Sequence, residues 1–375
     1  MLARFIFSAL ALALAVPAVA AAAPAGSGAV VFSKVVTDTA TYEKADGEKF
    51  VKDPEGGLFA ARNGRLNQLT ENPGDGQPSF SADGRTIAFV RDGDLYTMRA
   101  DGSGQRRLTS GPEVDSRPIF APSGRFVLFE RREPAAGSPR DLFTVGAGGG
   151  RLHALTTSAE DDHEASFSRD GRTIVFVRSV AETGGGTADD LYSVRSSGAR
   201  LKRLTRTGRI DEFAPRHCAS GIAFSRGESG EGPSAYADIY TMRADGRKLR
   251  ELIAGAGSAY VEDVTPNGRL LLFRRDQGLW AKRLVAGDER GPRARKLTDV
   301  ADNSETNAVF SSDGREVAAF VETETETEAR QTLTAIAVAN RRQRQLAEGF
   351  AYTSGTVTTT IGATIAWQPV RSAIR

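Results

Sequence analysis

The chain has 375 residues, 40% of them hydrophobic and 26% charged, a balance that suits a soluble folded protein. Its 49 Lys and Arg against 47 Asp and Glu leave a net charge of +2, which argues against a protein built to coat nucleic acid. A single cysteine, Cys218, excludes any intramolecular disulfide.

The first residues read as an export signal over 1–22. Arg4 supplies the charge, Phe5 to Val16 an apolar run too short to span a bilayer comfortably, and Ala18-Val19-Ala20 a small-residue cleavage motif. Residues 23–375 are expected to form one domain.

The next elements are Ala29 to Ser33, a short apolar strand, and "GGLFAARNGRLNQLT" from Gly56, two strands around an Asn-Gly turn. Between them Lys34 to Gly56 reads as a long loop. From Gln77 the chain then states a complete unit, "QPSFSADGRTIAFVRDGDLYTMRADGSGQRRLT". A short extended run meets Asp83-Gly84, where glycine is free to take positive φ, and alternating β-branched residues follow. Asp92-Gly93 and Ala100 to Gly104 make two more turns, so the unit predicts a four-stranded antiparallel meander.

The unit recurs. Openings return as "RPIFAPSGRFVLFE" from Arg117, "EASFSRDGRTIVFV" from Glu164, "FAPRHCASGIAFS" from Phe213, "EDVTPNGRLLLFR" from Glu262 and "TNAVFSSDGREVAAFV" from Thr306. Endings return from Asp141, Asp190, Asp238, Gly278 and Leu333, and the stretch from Gly56 is one ending more than there are openings. The missing opening stands at the far end as "ATIAWQP" from Ala363, with Trp367-Gln368-Pro369 in the place of Phe80-Ser81-Ala82. A chain that starts on the later strands of a unit and ends on its first strand pairs its own termini. The expected fold is therefore all-β: a β-propeller of four-stranded antiparallel blades, seven in number with six as the alternative, closed by its N- and C-terminal strands. The blades fall at 29–70 with 360–370 (composite), then at about 71–109, 111–156, 161–205, 211–252, 259–298 and 303–346.

The phrase "PSFSADGRTIAF…DLYTMRADGSGQRRLT" resembles the PD40, or WD40-like, repeat of TolB-type β-propellers. The resemblance covers about nine tenths of the chain after its leader and implies the propeller fold. It is less specific for function, because such blades occur in the periplasmic TolB component of the Tol-Pal system, in peptidase propellers and in pectin-degrading lyases. TolB carries an additional α/β domain before its propeller, and the stretch ahead of "GLFAARNG" is too short for one.

In such a disk the loops joining strands two to three, and one blade to the next, share a face. Those loops are the longer ones here: Arg132 to Arg140, Ser179 to Asp189, Arg226 to Ala237, Glu322 to Gln331 and Lys34 to Gly56. That face is the expected functional one. Acidic residues collect on it, at Glu160-Asp161-Asp162 with Glu164, Asp211-Glu212, Glu262-Asp263 and the "ETETETE" run from Glu322, which reads as an extended hairpin tip or a loop. Basic residues collect on the other, at Arg106-Arg107, Arg200 to Arg203, Arg247 to Arg250, Arg293 to Lys296 and Arg341 to Arg344. The disk is expected to be electrically two-sided. Charged turns that resist aggregation are the plainer account.

Asp75, Asp115, Asp162, Asp211 and Glu305 stand at roughly equivalent places before each inner strand and would ring one channel mouth. Together with His163, Glu164, Glu212, Glu262 and Asp263 they are the candidate partner-binding residues, against the reading that each carboxylate accepts bonds from turn amides. No Gly-x-Ser-x-Gly elbow, phosphate loop or His-Glu-x-x-His spacing is present, and His153, His163 and His217 fall in different blades. No cofactor, metal or nucleic acid is expected. The sequence points to an exported, non-enzymatic, monomeric binding or scaffold protein, periplasmic or secreted, that holds an envelope or extracellular protein, a peptide or a glycan at one face. The alternative is a propeller-type polysaccharide lyase or glycan-binding protein acting at the channel mouth.

Overall fold

A computed structural model describes residues 28–369, apart from 39–40, 44–48, 52, 63, 183–184, 209, 229–236, 256–257, 277, 286–292, 300–307, 325–328, 348–349 and 353–356. The leader expected at 1–22 and Glu305 thus lie outside the described residues. All regular structure among the described residues is strand.

The repeated phrase becomes a repeated object. Blade two runs Asp75–Phe80, Thr86–Arg91, Asp94–Arg99, Arg106–Arg107, each strand antiparallel to the last. Blades three to six repeat it, and blade seven adds Phe350–Tyr352 beside its third strand, Ala329–Ala337. Blade one is composite: its inner strand is Val357–Trp367, from the C-terminal end, paired to Val30–Asp38 with Trp367 opposite Val30. Gln368 completes the seam by accepting the Ala29 N–H (3.3 Å) on Oε1 and donating from Nε2 to the Gly84 carbonyl of blade two (2.8 Å). Seven blades and the closing strand are as the repeat count predicts.

Each blade's second strand is buried on both faces, which explains its unbroken apolar spelling: Ile87, Ala88 and Phe89, like Ile174 to Val177, have no exposed surface. The buried side chains divide into seven apolar clusters, one at each blade-to-blade interface. The core is therefore a ring of interfaces, and at the one between blades seven and one Phe320 meets Phe32 edge-on, with centroids 5.6 Å apart.

Two phrases acquire local causes. In the opening turn, the Ser81 hydroxyl donates to Asp83 Oδ1 (2.7 Å) and accepts the Thr86 N–H (3.0 Å), while Gly84 takes a φ of 67°. A β-carbon on Gly84 would come within 2.5 Å of the Pro369 carbonyl in the composite blade, so this glycine also sets the approach of neighbouring blades. In the ending, the threonine of each "LT" accepts the N–H that opens the third strand's ladder: Leu58 to Thr70 (2.9 Å), Leu95 to Thr109 (2.8 Å), Leu142 to Thr156 (2.9 Å) and Leu191 to Thr205 (2.8 Å).

The loops depart from expectation. Most of Ser179 to Asp189 is strand, with Thr173–Ala181 and Thr187–Arg195 paired to their tips. Of the Thr-Glu run, Glu322 to Glu324 lie on the strand Glu316–Glu324 paired with Ala329–Ala337, in keeping with the hairpin reading, and 325–328 lie outside the described residues. Lys34 to Asp38 continues the first strand, and a small hairpin of Thr41–Glu43 with Lys49–Val51 follows before the next strand starts at Glu55. Cys218 closes the inner strand Ile210–Cys218, its thiol 3.2 Å from the Ser220 hydroxyl.

Replacing Thr109 by Val keeps shape but leaves the buried Leu95 N–H without its acceptor. The expected loss is about 1–3 kcal/mol, read as a lower urea midpoint, with Thr109→Ser close to wild type.

Candidate functional site

The carboxylates singled out from sequence do not share one role. Asp75, Asp115 and Asp162 open the inner strands of blades two, three and four, are almost completely buried, and each meets an arginine of the second strand sixteen residues on. Arg91 Nε and Nη2 hold Asp75 at 2.6 and 2.7 Å, Arg131 holds Asp115 at 2.7 and 2.9 Å, and Arg178 holds Asp162 at 2.6 and 2.7 Å. Each guanidinium lies over two stacked rings, as Arg91 does over Phe89 (5.4 Å) and Tyr96 (4.9 Å). The partner is thus neither a ligand nor a turn amide but a recurring Phe-x-Arg in the second strand.

The fifth and sixth blades vary the theme. Glu212, not Asp211, stands opposite the arginine there, with Arg226 Nε 3.8 Å from its Oε1 and the Thr205 hydroxyl donating to Oε2. Asp211 lies one residue earlier and accepts the Asp189 N–H of blade four (3.0 Å), as Asp161 accepts that of Arg140 (2.6 Å). In blade six Tyr260 takes the position, under Arg274 at 5.3 Å.

The channel wall is made one or two residues further along. The inner strands slip register between Gly76 and Ser79, Ser116 and Ile119, His163 and Ser166, and Phe213 and Arg216, and there Gln77, Arg117, Glu164 and Ala214 take φ between 50° and 53°. Such a bulge frees an N–H from the ladder. A side chain from the preceding blade takes each of three: Gln77 Oε1 accepts from Arg117, Glu130 Oε1 from Glu164 (2.8 Å), and Glu164 Oε2 from Ala214 (2.6 Å). Further round, Ser225 Oγ accepts from Val261 (2.8 Å) and Asp263 Oδ2 from Phe310 (2.8 Å).

These bulged strands enclose a cavity of about 990 Å³, of a size that takes a small ligand or the end of a chain. Arg117, Glu164, Phe213, Arg216, Tyr260 and Glu262 are on its wall. The Arg117 guanidinium, half exposed, lies 3.5 Å from Glu164 and 4.0 Å from the buried Glu130. Phe213 and Tyr260 stand with ring centroids 5.8 Å apart. Burial raises the Glu164 carboxyl, but Arg117, His163, the Ala214 N–H and Arg216 together bring it below its ordinary value. Burial pushes Glu130 and Asp263 up, and pushes Glu262 up to about 7 against the pull of Arg274, 3.6 Å away.

Of the sequence-derived set, then, the structure brings Glu164, Glu262 and Asp263 to the cavity and puts His163 beside Glu164 on the same strand. It places Asp75, Asp115, Asp162 and Glu212 behind the wall in ion pairs. Arg117, Arg216, Phe213 and Tyr260 were missed, although the Asp-to-Arg spacing of sixteen would have removed the competing candidates. Among the described residues no three His, Cys, Asp or Glu side chains are arranged to hold a metal ion.

Comparison with known proteins agrees with the fold. Residues 61–215, from the third strand of blade one to the inner strand of blade five, match the family described as TolB beta propeller domain, PD40, and the same phrase spells the remaining blades. A stretch of 56 residues is 43% identical to the uncharacterized peptidase YuxL of Bacillus subtilis, but it is 14% of this chain and only 8% of that protein. Among solved structures, oligogalacturonate lyase from Vibrio parahaemolyticus superposes with a TM-score of 0.55 at 12% identity, over 78% of this chain and 88% of the other. TolB from Acinetobacter baumannii gives 0.51 at 15%, over 90% and 83%. The chain is a seven-bladed propeller built on the TolB-type repeat, a fold shared by binding proteins and enzymes alike.

Two outcomes follow from the buried charges. Asp162→Asn strips the counter-charge from a buried guanidinium and is expected to cost about 3–5 kcal/mol in urea unfolding, much of it recovered by Asp162→Leu with Arg178→Met. Glu212 and Glu262 have folded values of about 7 against an ordinary 4.5, so each favours the fold while protonated. That contribution is complete below pH 4.5 and lost as pH rises through about 7. Relative to Glu262→Gln, the wild-type unfolding midpoint should therefore fall across this window and level off above it; a constant difference would mean that Glu262 does not titrate there.

Proposed function

We propose that this protein is an exported binding protein that holds a partner at the channel mouth, on the face bearing the two-to-three loops. The observation that carries the reading is the cavity, whose wall presents a half-exposed Arg117 with Glu164, Arg216, Phe213 and Tyr260, while Glu130 and Glu262 lie against arginines and Asp263 accepts backbone N–H groups. Charges of both signs beside an aromatic pair can take a peptide end or a polar loop, where amide, ammonium and carboxylate groups alternate with apolar ones. The leader-like segment from Arg4 to Ala20 supports export to the periplasm or medium.

Catalysis is less well supported. His153 lies on an outer strand against the Ser197 carbonyl (3.3 Å), and His217 is a half-buried residue on the inner strand whose pKa desolvation lowers to about 4, so neither joins His163. A second reading rests on Phe213 and Tyr260: aromatic faces flanked by arginines also suit an acidic glycan.

Asp162→Lys would test folding rather than binding, since that side chain is buried in its arginine pair. The test is a pull-down from the producing cell's envelope and medium with the chain from Ala21, alongside Arg117→Ala with Phe213→Ala. Wild-type should retain a protein or peptide that the variant loses at unchanged thermal stability. Retention by both would reject the channel mouth, and recovery of polysaccharide alone would favour the glycan reading.

A further inference from the structure

The opposite face, carrying the one-to-two and three-to-four turns, has a different construction. Its aspartates are exposed but each is tied to its own turn: Asp83 Oδ1 accepts from Ser81 and from the Arg85 N–H, and Asp101, Asp170, Asp245 and Asp313 each accept an N–H two residues on. The neighbouring arginines are not so held. Arg85, Arg172 and Arg315 have side chains 64%, 86% and 86% exposed, and each only brushes its aspartate at 3.8–4.0 Å. Arg85, Arg125, Arg172, Arg269 and Arg315 hold this place in blades two, three, four, six and seven, all exposed, so cations recur around most of the disk although the chain as a whole carries only +2.

Two further observations belong to the same face. Arg200 and Lys248 occupy the place that Gly104 holds in blade two and take φ of 61° and 57°, so a cation stands where a glycine would be unstrained. Beside them are Leu201 and Leu249, 48% and 41% exposed. With Leu66 and Val285 these make four of the five exposed large hydrophobic side chains among the described residues, all four on three-to-four turns or the strand ends beside them. The turns are also tied to one another: Lys202 Nζ donates to the Asp245 carbonyl of the next blade (2.6 Å) and Arg295 to that of Ala339.

We propose that this face docks on an anionic lipid bilayer. A short-turned, cross-linked disk spreads its cations over a plane, which suits a planar array of phosphates; a soluble polyanionic chain would call for a groove or a line of charge. Leucines at the rim, each next to a cation, reach the boundary between headgroups and acyl chains while arginine stems lie along it. No helix among the described residues is long and apolar enough to cross a membrane. Docked this way, the disk turns its channel mouth and acidic loops to solvent.

The test is co-sedimentation of the whole chain with vesicles of phosphatidylcholine alone or mixed with phosphatidylglycerol, at low and high ionic strength. The variant is Arg125→Glu, Arg169→Glu and Arg247→Glu together, three exposed side chains in blades three, four and five. The mixed vesicles should bind the wild type and release it at high salt, and the variant should bind more than about tenfold more weakly at unchanged thermal stability. Leu201→Ser with Leu249→Ser should weaken the low-salt binding without altering its salt dependence. Wild type and variant share the apolar segment from Phe5 to Val16, so equal binding of the two would overturn the proposal. Binding that ignores phosphatidylglycerol, or capture of dextran sulfate with no binding to vesicles, would overturn it as well.

Discussion

A blade of this protein cannot stand alone, because its second strand is apolar on both faces and each face needs a neighbour. In an open row the two end blades would each keep one such face in water. The pairing of Val30–Asp38 with Val357–Trp367 removes both ends at once, and it is the constraint on which everything else depends. Closure sets the inner strands around one channel, where those of blades two to five carry their bulges to its wall. The N–H groups freed by those bulges then find acceptors on the preceding blade, so the channel lining and the blade contacts are one set of interactions.

Much of this is legible in the sequence, for a physical reason. Turn chemistry and two-sided burial are local demands, so each blade must spell them again, and even the displaced opening strand could be found at the far end by its Trp367-Gln368-Pro369. Loop lengths were less legible. The hydrogen-bond ladder can outrun the apolar signal of a strand: Thr173–Ala181 with Thr187–Arg195 stays paired through Ser179 and Asp189, which read as the two ends of a loop.

The site was the least legible part. The aspartates were expected ahead of each inner strand, but Asp75, Asp115 and Asp162 lie within it and face their arginines across the ladder, while the bulge that follows gives the wall to Arg117 and Glu164. Alignment within the repeat failed once, at Asp211. The opening hairpin of blade five is two residues shorter, which puts Glu212 and Arg226 fourteen apart where blades two to four keep sixteen. A buried carboxylate and an arginine at fixed separation are in hindsight a pattern of structure, since burial at the head of an inner strand demands a counter-charge directly across the ladder.

Repetition also separates charge without any residue being selected for it singly. Within one unit the aspartates sit where turn N–H groups or strand arginines can take them, and the remaining cations fall at the two turns that every blade presents to the same side. Stacked linearly, such units would form a row of small dipoles; arranged in a ring with their strands near the axis, they add along it. A net charge of +2 is then compatible with a disk whose faces differ strongly, and the two faces need not compete for one partner. The bulged, mixed-charge mouth has the depth and variety for specific recognition, whereas the flat basic face can respond only to charge density. If the mouth holds a partner and the basic face a bilayer, as proposed, the first selects what is held and the second where the disk comes to rest.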